Sequence, residues 1–150
     1  MPPLLVNQAG AWNKSQQTYE VTLNTFCPDA DIYYAVNDST VNTSSSLYKT
    51  PIPLDEDATV YSAVYRDGKP LGKVTRKSFA VNKATGCDYT CNPEAGWEHL
   101  NEGFGLTDGR RGYARDMRRW ISFYQDTVQL VVELKKPQKV KEVAFSSLWR

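Results

Sequence analysis

Histidine, methionine and cysteine are scarce in this sequence, and neither sign of charge dominates it. With one histidine and three cysteines, no group of residues has the spacing of zinc ligands. The 18 lysines and arginines nearly balance 17 aspartates and glutamates, and a net charge of +1 does not suit a polycation that holds nucleic acid. Apolar runs stay below the roughly 18 residues of a membrane-spanning helix. We therefore expect no nucleic-acid partner, no membrane span and no cofactor.

Aromatic residues and period-two alternation are abundant. Nine tyrosines and four tryptophans accompany 41 % hydrophobic residues, enough for a packed core in 150 residues. Residues 19–26 place Tyr19, Val21, Leu23 and Thr25 on one face of a strand. Further strands are predicted at 32–36, 60–65 and 73–81, with a tight hairpin at Asp67-Gly68. The fold class is all-β, and this part is expected to be a small antiparallel immunoglobulin-like sandwich.

Composition changes along the chain predict two units. Residues 1–14 are expected to be an N-terminal extension and residues 15–84 the sandwich. Residues 85–96 lack an apolar period and are typical of a linker. Strand patterns resume at 120–124, 128–134 and 140–146, which are too few strands to bury both faces of a sheet. The second unit, residues 97–150, is therefore expected to be incomplete, and its strand edges would favour dimerisation.

The three cysteines leave two alternatives open. Cys87 and Cys91 lie four apart in the stretch GCDYTC, where Gly86 and Pro93 favour the tight loop that a disulfide would need. Two free thiols are the other interpretation. Cys27 stands alone and is expected to be a buried thiol.

Residues 32–74 carry a first family resemblance. The matching residues are Ile32, Tyr33, Tyr34, Leu47, Tyr48, Pro51, Ile52, Leu54, Val60, Ala63, Asp67 and Gly68. They resemble the small sandwich at the C-terminal end of chitobiase-type β-hexosaminidases, a module that follows the catalytic barrel in many Bacteroidetes-type glycoside hydrolases. The departure is the stretch NDSTV at residues 37–41, which lacks the family's turn glycine and proline.

Residues 99–148 carry a second resemblance. The stretches LTDGRRG at 106–112 and RWISF at 119–123, followed by apolar residues 128–134 and 140–143, are similar to the opening of a discoidin-like (coagulation factor type C, galactose-binding) domain. Ser122 and Lys135 replace two glycines of that family, and Glu133 replaces an aspartate. The resemblance implies the first, truncated part of a jelly roll.

Together the two resemblances imply a function. The chain would be a non-catalytic accessory and carbohydrate-binding segment of a periplasmic or extracellular bacterial glycoside hydrolase, in the first place a β-N-acetylhexosaminidase. Its partners would be the enzyme's catalytic domain and neutral glycans containing N-acetylhexosamine or galactose. The alternative is a stand-alone cell-surface adhesin that holds an anionic partner through the loop Arg110–Arg119.

The candidate binding residues lie in the second half of the chain. Sugar recognition places an aromatic ring on the apolar side of a pyranose, with polar groups for the hydroxyls. Tyr113, beside Arg110 and Arg111, is the better exposed candidate platform. Trp120 is the other, with a core anchor as the alternative interpretation. Asp108 resembles a calcium-ligand position, but one carboxylate predicts little and a plain turn is the simpler interpretation.

No pattern in the chain indicates catalysis. Glycoside hydrolysis needs two carboxyl groups held across a cleft. The acidic run Asp55-Glu56-Asp57 is expected to be a solvated hairpin turn instead, because no alternation of strands and helices surrounds it. His99 is the one histidine, and the sequence has no serine or cysteine in a nucleophile motif for which it could act as the general base.

Overall fold

The computed structural model describes residues 5–94, 97–98, 105–109 and 120–147. Within these residues the regular structure consists of β-strands, which confirms the predicted all-β class. The chain divides into two compact units, Met1–Asn82 and Lys83–Arg150. Among the described residues, no helix is long and apolar enough to cross a membrane.

The first unit contains two antiparallel sheets. Its strands are β1 (Val6–Asn13), β2 (Thr18–Thr25), β3 (Asp31–Val36), β4 (Ser46–Leu47), β5 (Ile52–Leu54), β6 (Ala58–Arg66), β7 (Lys69–Pro70) and β8 (Thr75–Phe79). The first sheet has the order β1-β2-β5. The second sheet has the order β4-β3-β6-β7, and β8 also pairs with β6. This is the predicted antiparallel sandwich.

Alternation along the strands builds the core between the sheets. On β2, Tyr19, Val21 and Leu23 are only 3 %, 0 % and 2 % exposed, as their shared face predicts. Val60 and Val64 of β6 join them in the same cluster of buried residues. Each such side chain removed from water contributes about 1.5–3 kcal/mol of transfer free energy, so this face fixes the register of the strands.

The hairpin at Asp67-Gly68 forms as predicted, but its return strand is divided. Asp67 and Gly68 both have positive φ, 50° and 72°, which is the requirement of a type I′ turn. The chain then pairs with β6 twice, first as β7 and later as β8. Gly72 lies between these two short strands, where the residues are exposed and unsuited to a continuous strand.

The predicted N-terminal extension is wrong for residues 6–13. These residues form β1, an eight-residue strand that pairs with β2 from Val6↔Thr25 to Asn13↔Thr18. Alternation is weak there because polar Gln8 occupies an inward position and is 3 % exposed. Its Nε2 donates to Ser62 Oγ at 2.7 Å and to the carbonyl of Thr75 at 3.3 Å, so the interior binds the amino group of a side chain that the sequence pattern assigns to solvent.

The second unit contains two two-stranded antiparallel sheets among its described residues. Strand β9 (Tyr89–Asn92) pairs with β12 (Gln129–Val132), and β10 (Trp97–Glu98) pairs with β11 (Ile121–Ser122). The linker predicted at 85–96 is therefore wrong, because β9 lies inside it.

The strand predicted at 140–146 is also absent from the second unit. Residues 141–147 have no regular structure, and Val143 and Phe145 are 86 % and 67 % exposed. Alternating apolar residues predict a strand only where a neighbouring strand pairs with them.

None of the three cysteines forms a disulfide, so the disulfide alternative for Cys87 and Cys91 is wrong. Cys87 is the buried cysteine, and its Sγ donates to the carbonyl of Lys83 at 3.3 Å. Cys27 is half-buried, contrary to the expectation of a buried thiol.

Candidate carbohydrate-binding surface

The residues predicted to bind sugar are mostly beyond the described part of the second unit. Arg110, Arg111 and Tyr113 lie outside the described residues. Trp120 is half-buried and directly precedes β11. Its role as a sugar platform stays a prediction.

Asp108 lies in a turn that is bonded to an earlier segment of the second unit. Its neighbour Thr107 is 9 % exposed and donates through Oγ1 to the carbonyl of Cys87 at 2.6 Å. Gly86 N donates to Thr107 O at 2.7 Å, so two bonds join the segments. Among the described residues, no three His, Cys, Asp or Glu side chains are grouped to hold a metal ion. The geometry is that of a structural turn, and calcium at Asp108 stays a prediction.

The acidic run Asp55-Glu56-Asp57 connects the two sheets of the sandwich. It leads from β5 in one sheet to β6 in the other, so the predicted hairpin is wrong although the run is exposed as expected. Asp57 Oδ1 accepts a hydrogen bond from Val81 N at 2.8 Å. One carboxylate of the run thus fixes the backbone that follows β8.

A cluster of tyrosines on the second sheet was missed by the sequence analysis. Tyr61 and Tyr65 of β6 alternate with core residues and lie on the outer face of the sheet, as Tyr33 of β3 does. Tyr33 pairs with Ala63, between the two other tyrosines. Diagonal neighbours on one sheet face are about 7–8 Å apart, within reach of aromatic side chains. We call Tyr33, Tyr61, Tyr65 and the adjacent Arg76 the tyrosine face.

One side of the tyrosine face is held rigidly. The rings of Tyr33 and Tyr65 meet edge to face, with centroids 5.4 Å apart and an interplanar angle of 83°. The hydroxyl of Tyr65 donates to the carbonyl of Val41 at 3.2 Å, and Val41 itself is 7 % exposed. The loop between β3 and β4 is therefore fastened to the sheet at this point, which limits the motion of both rings.

The other side of the tyrosine face is unengaged. Tyr61 and Arg76 are directly opposite each other in the pairing of β6 with β8. Tyr61 is half-buried and Arg76 is exposed. Within the described part of the chain, neither side chain makes a hydrogen bond, an ion pair or a ring contact. An aromatic residue and an arginine thus occupy paired positions on one face of the sheet, and neither is engaged by another described residue.

Comparison with known proteins finds a family match over the residues that carry this surface. Residues 7–76 match the family described as chitobiase/beta-hexosaminidase C-terminal domain. The first resemblance is therefore confirmed as a chitobiase C-terminal-like domain, while the Bacteroidetes type and the discoidin-like second unit stay predictions. No curated protein matches the chain.

The match agrees with the structure in two respects. It begins at residue 7, inside β1, where the sequence analysis had placed an extension. It also includes the whole tyrosine face, so this surface lies within the matched residues. The spacing of Tyr61, Ala63 and Tyr65 at every second position was the available signal, since it marks the face of β6 opposite to Val60 and Val64.

Proposed function

We propose that the chain is a non-catalytic, carbohydrate-binding accessory segment of a secreted β-N-acetylhexosaminidase. The observation that carries this proposal is the match of residues 7–76 to the chitobiase/beta-hexosaminidase C-terminal domain, over residues that form the sandwich. The family match indicates a hexosaminidase-type glycoside hydrolase as the parent. The periplasm or the extracellular space is the expected compartment on the same basis.

The architecture of the sandwich supports an accessory role. Its interior is packed with aliphatic and aromatic side chains, and its acidic connection contributes Asp57 to a backbone hydrogen bond. A packed sandwich of this kind supplies a rigid body beside a catalytic domain or a spacer between domains. Catalysis then belongs to the parent's catalytic domain, which is one of the proposed partners.

Carbohydrate binding is supported by half-buried aromatic side chains with polar groups beside them. Neutral N-acetylhexosamine or galactose residues present an apolar ring face that stacks on a tyrosine. The tyrosine face offers such a ring at Tyr61. In the second unit, the discoidin-like segment offers Trp120 as a second candidate, with Tyr113 beyond the described residues.

The test is a titration of the purified chain with oligosaccharides of N-acetylglucosamine and of galactose, at low and high salt. We expect saturable binding that persists at high salt, because stacking on a neutral sugar is not screened. Absence of binding to every glycan would overturn the carbohydrate-binding role. A parallel assay with a chromogenic N-acetylglucosaminide is expected to show no turnover, and turnover abolished by Glu56→Gln would overturn the accessory role.

A further inference from the structure

We infer that the tyrosine face is a binding site for an anionic glycan, with a pyranose on Tyr61 and an acidic substituent on Arg76. This inference rests on the proposed carbohydrate-binding function and names the site and the ligand chemistry. The unengaged pair of Tyr61 and Arg76 carries it.

Tyr61 is suited to stack on a sugar ring. Its cross-strand neighbour on β3 is Ala35, a residue too small to cover the tyrosine ring. Its hydroxyl has no partner within the described part of the chain, so it is available to a sugar hydroxyl. A pyranose combines an apolar ring face with peripheral hydroxyls, and Tyr61 matches both features.

Arg76 determines the charge of the ligand. Cβ atoms directly opposite in an antiparallel pair are about 4.5–5.5 Å apart, so the Arg76 side chain is long enough to reach a substituent of a sugar stacked on Tyr61. A guanidinium fork binds carboxylate and sulfate oxygens in a bidentate manner. Lys77 follows on the same strand but turns to the other face, where its Nζ donates to Gln8 O at 2.7 Å. Arg76 is thus the cation that β8 contributes to the tyrosine face.

The rest of the surface favours a flat, polar ligand such as an oligosaccharide. Beyond Tyr61 along β6 and β8, Thr59 Oγ1 and Ser78 Oγ are 2.8 Å apart and form a hydroxyl pair. These hydroxyls, next to the aromatic ring and the cation, resemble the polar periphery of a sugar site more than an apolar protein interface. We therefore commit to a glycan as the occupant.

The experiment is a calorimetric titration of the complete chain with three hexasaccharides. One alternates N-acetylglucosamine with glucuronate, the second is a sulfated oligosaccharide of the same length, and the third is neutral chitohexaose. We expect the acidic ligands to bind more tightly than chitohexaose, and their affinity to fall with salt. Arg76→Gln should raise the Kd of the acidic ligands by about 10- to 100-fold, since a hydrogen bond to a charged group is lost. The Kd of chitohexaose should stay unchanged, so the preference for acidic ligands disappears. Tyr61→Ala should weaken all three ligands.

Matched variants elsewhere on the first unit serve as controls. Phe26→Ala removes a 92 % exposed aromatic ring, and Lys14→Gln removes an exposed positive charge from the turn between β1 and β2. Neither should change affinity. Tyr61→Phe keeps the aromatic ring, so it should retain most of the binding. It also shows whether a loss in Tyr61→Ala comes from the missing ring or from a folding defect.

The outcomes separate the two proposals. Binding of acidic glycans that Arg76→Gln and Tyr61→Ala leave unchanged would overturn this inference and leave the carbohydrate-binding role intact. Binding of chitohexaose as tightly as the acidic ligands would likewise overturn this inference alone. Absence of binding by all three hexasaccharides and by the galactose series would overturn both.

Discussion

Asn37 and Thr59 bond to each other twice. The backbone N–H of Asn37 donates to the carbonyl of Thr59 at 2.8 Å, and Thr59 N donates to Asn37 Oδ1 at 2.8 Å. Asn37 has a φ of 58°, the left-handed conformation that asparagine tolerates better than most residues. The turn after β3 thus forms without the family's glycine, because an amide side chain continues the ladder with β6.

This pair predicts the effect of substitutions at Asn37. Asn37→Ala loses the Oδ1 acceptor and places a residue poorly suited to positive φ there, so it should destabilise the first unit by about 1–2 kcal/mol. Asn37→Asp keeps an acceptor and should cost less. The measurement is hydrogen exchange of the Thr59 amide in each variant. An alanine variant with unchanged protection would show that the turn does not depend on this side chain.

The core leaves no space for a side chain at Gly10. A Cβ at Gly10 would meet the hydroxyl of Tyr19 and lie 2.8 Å from Cδ1 of Phe79. Tyr19 and Phe79 are both buried, with ring centroids 6.4 Å apart, so a shift of either ring would disturb the packed core. Gly10→Ala should therefore lower the free energy of unfolding by about 1–3 kcal/mol, the usual cost of overpacking. Thermal unfolding followed by circular dichroism measures this change.

Two further variants test the steric explanation for Gly10. Gly72→Ala would meet chiefly the flexible end of Leu5, at 2.7 Å from Cδ1, and should cost less. In Gly10→Ala/Tyr19→Phe the nearest clashing atom, the hydroxyl, is gone, while ring carbons of residues 19 and 79 remain 2.8 Å from the new Cβ. The double variant should therefore be partly relieved and less destabilised than the sum of the single ones. Strict additivity would contradict the proposed contact.

Two buried hydroxyl groups in the sandwich, those of Ser62 and Thr75, are expected to affect stability in opposite directions when they are removed. Ser62 Oγ accepts a hydrogen bond from Gln8 Nε2, whereas Thr75 Oγ1 is buried with no partner within the described residues. Ser62→Ala should destabilise the domain by about 1–3 kcal/mol because it leaves the Gln8 amide with a poorer partner. Thr75→Val should be neutral or stabilising, since it replaces an unsatisfied hydroxyl with a methyl group. Urea unfolding of both variants checks the contrast, and a loss at Thr75 as large as at Ser62 would refute it.

Strands with strong alternation and β-branched residues were predictable from the sequence. Residues 19–25 and 60–65 show the period of two that a half-buried strand imposes. Strand β1 was missed because Gln8 takes an inward position and Gly10 interrupts the pattern to accommodate Tyr19. Both features depend on residues distant in sequence, which local periodicity does not report.

The candidate site was less predictable than the fold. Sequence analysis directed attention to Tyr113 and Trp120, because the second resemblance concerned a galactose-binding family. Tyr61 pairs with Arg76 because of the register between β6 and β8. This register differs from the one that a continuous hairpin through β7 would give, because the return strand is divided. Long-range pairing of this kind is set by the whole core and not by the turn alone.

The thiols give a final prediction. Cys87 is 7 % exposed and donates to Lys83 O, whereas Cys27 and Cys91 are half-buried. A thiol reacts as its thiolate and only when a reagent reaches it, so Cys87 should be alkylated much more slowly than the other two in the folded chain. Mass spectrometry after a timed exposure to iodoacetamide, without reductant, measures the modification at each position. All three thiols should react at similar rates once the chain is unfolded in urea. A chain in which Cys87 and Cys91 stay unmodified in urea until a reductant is added would show a disulfide and contradict the structure.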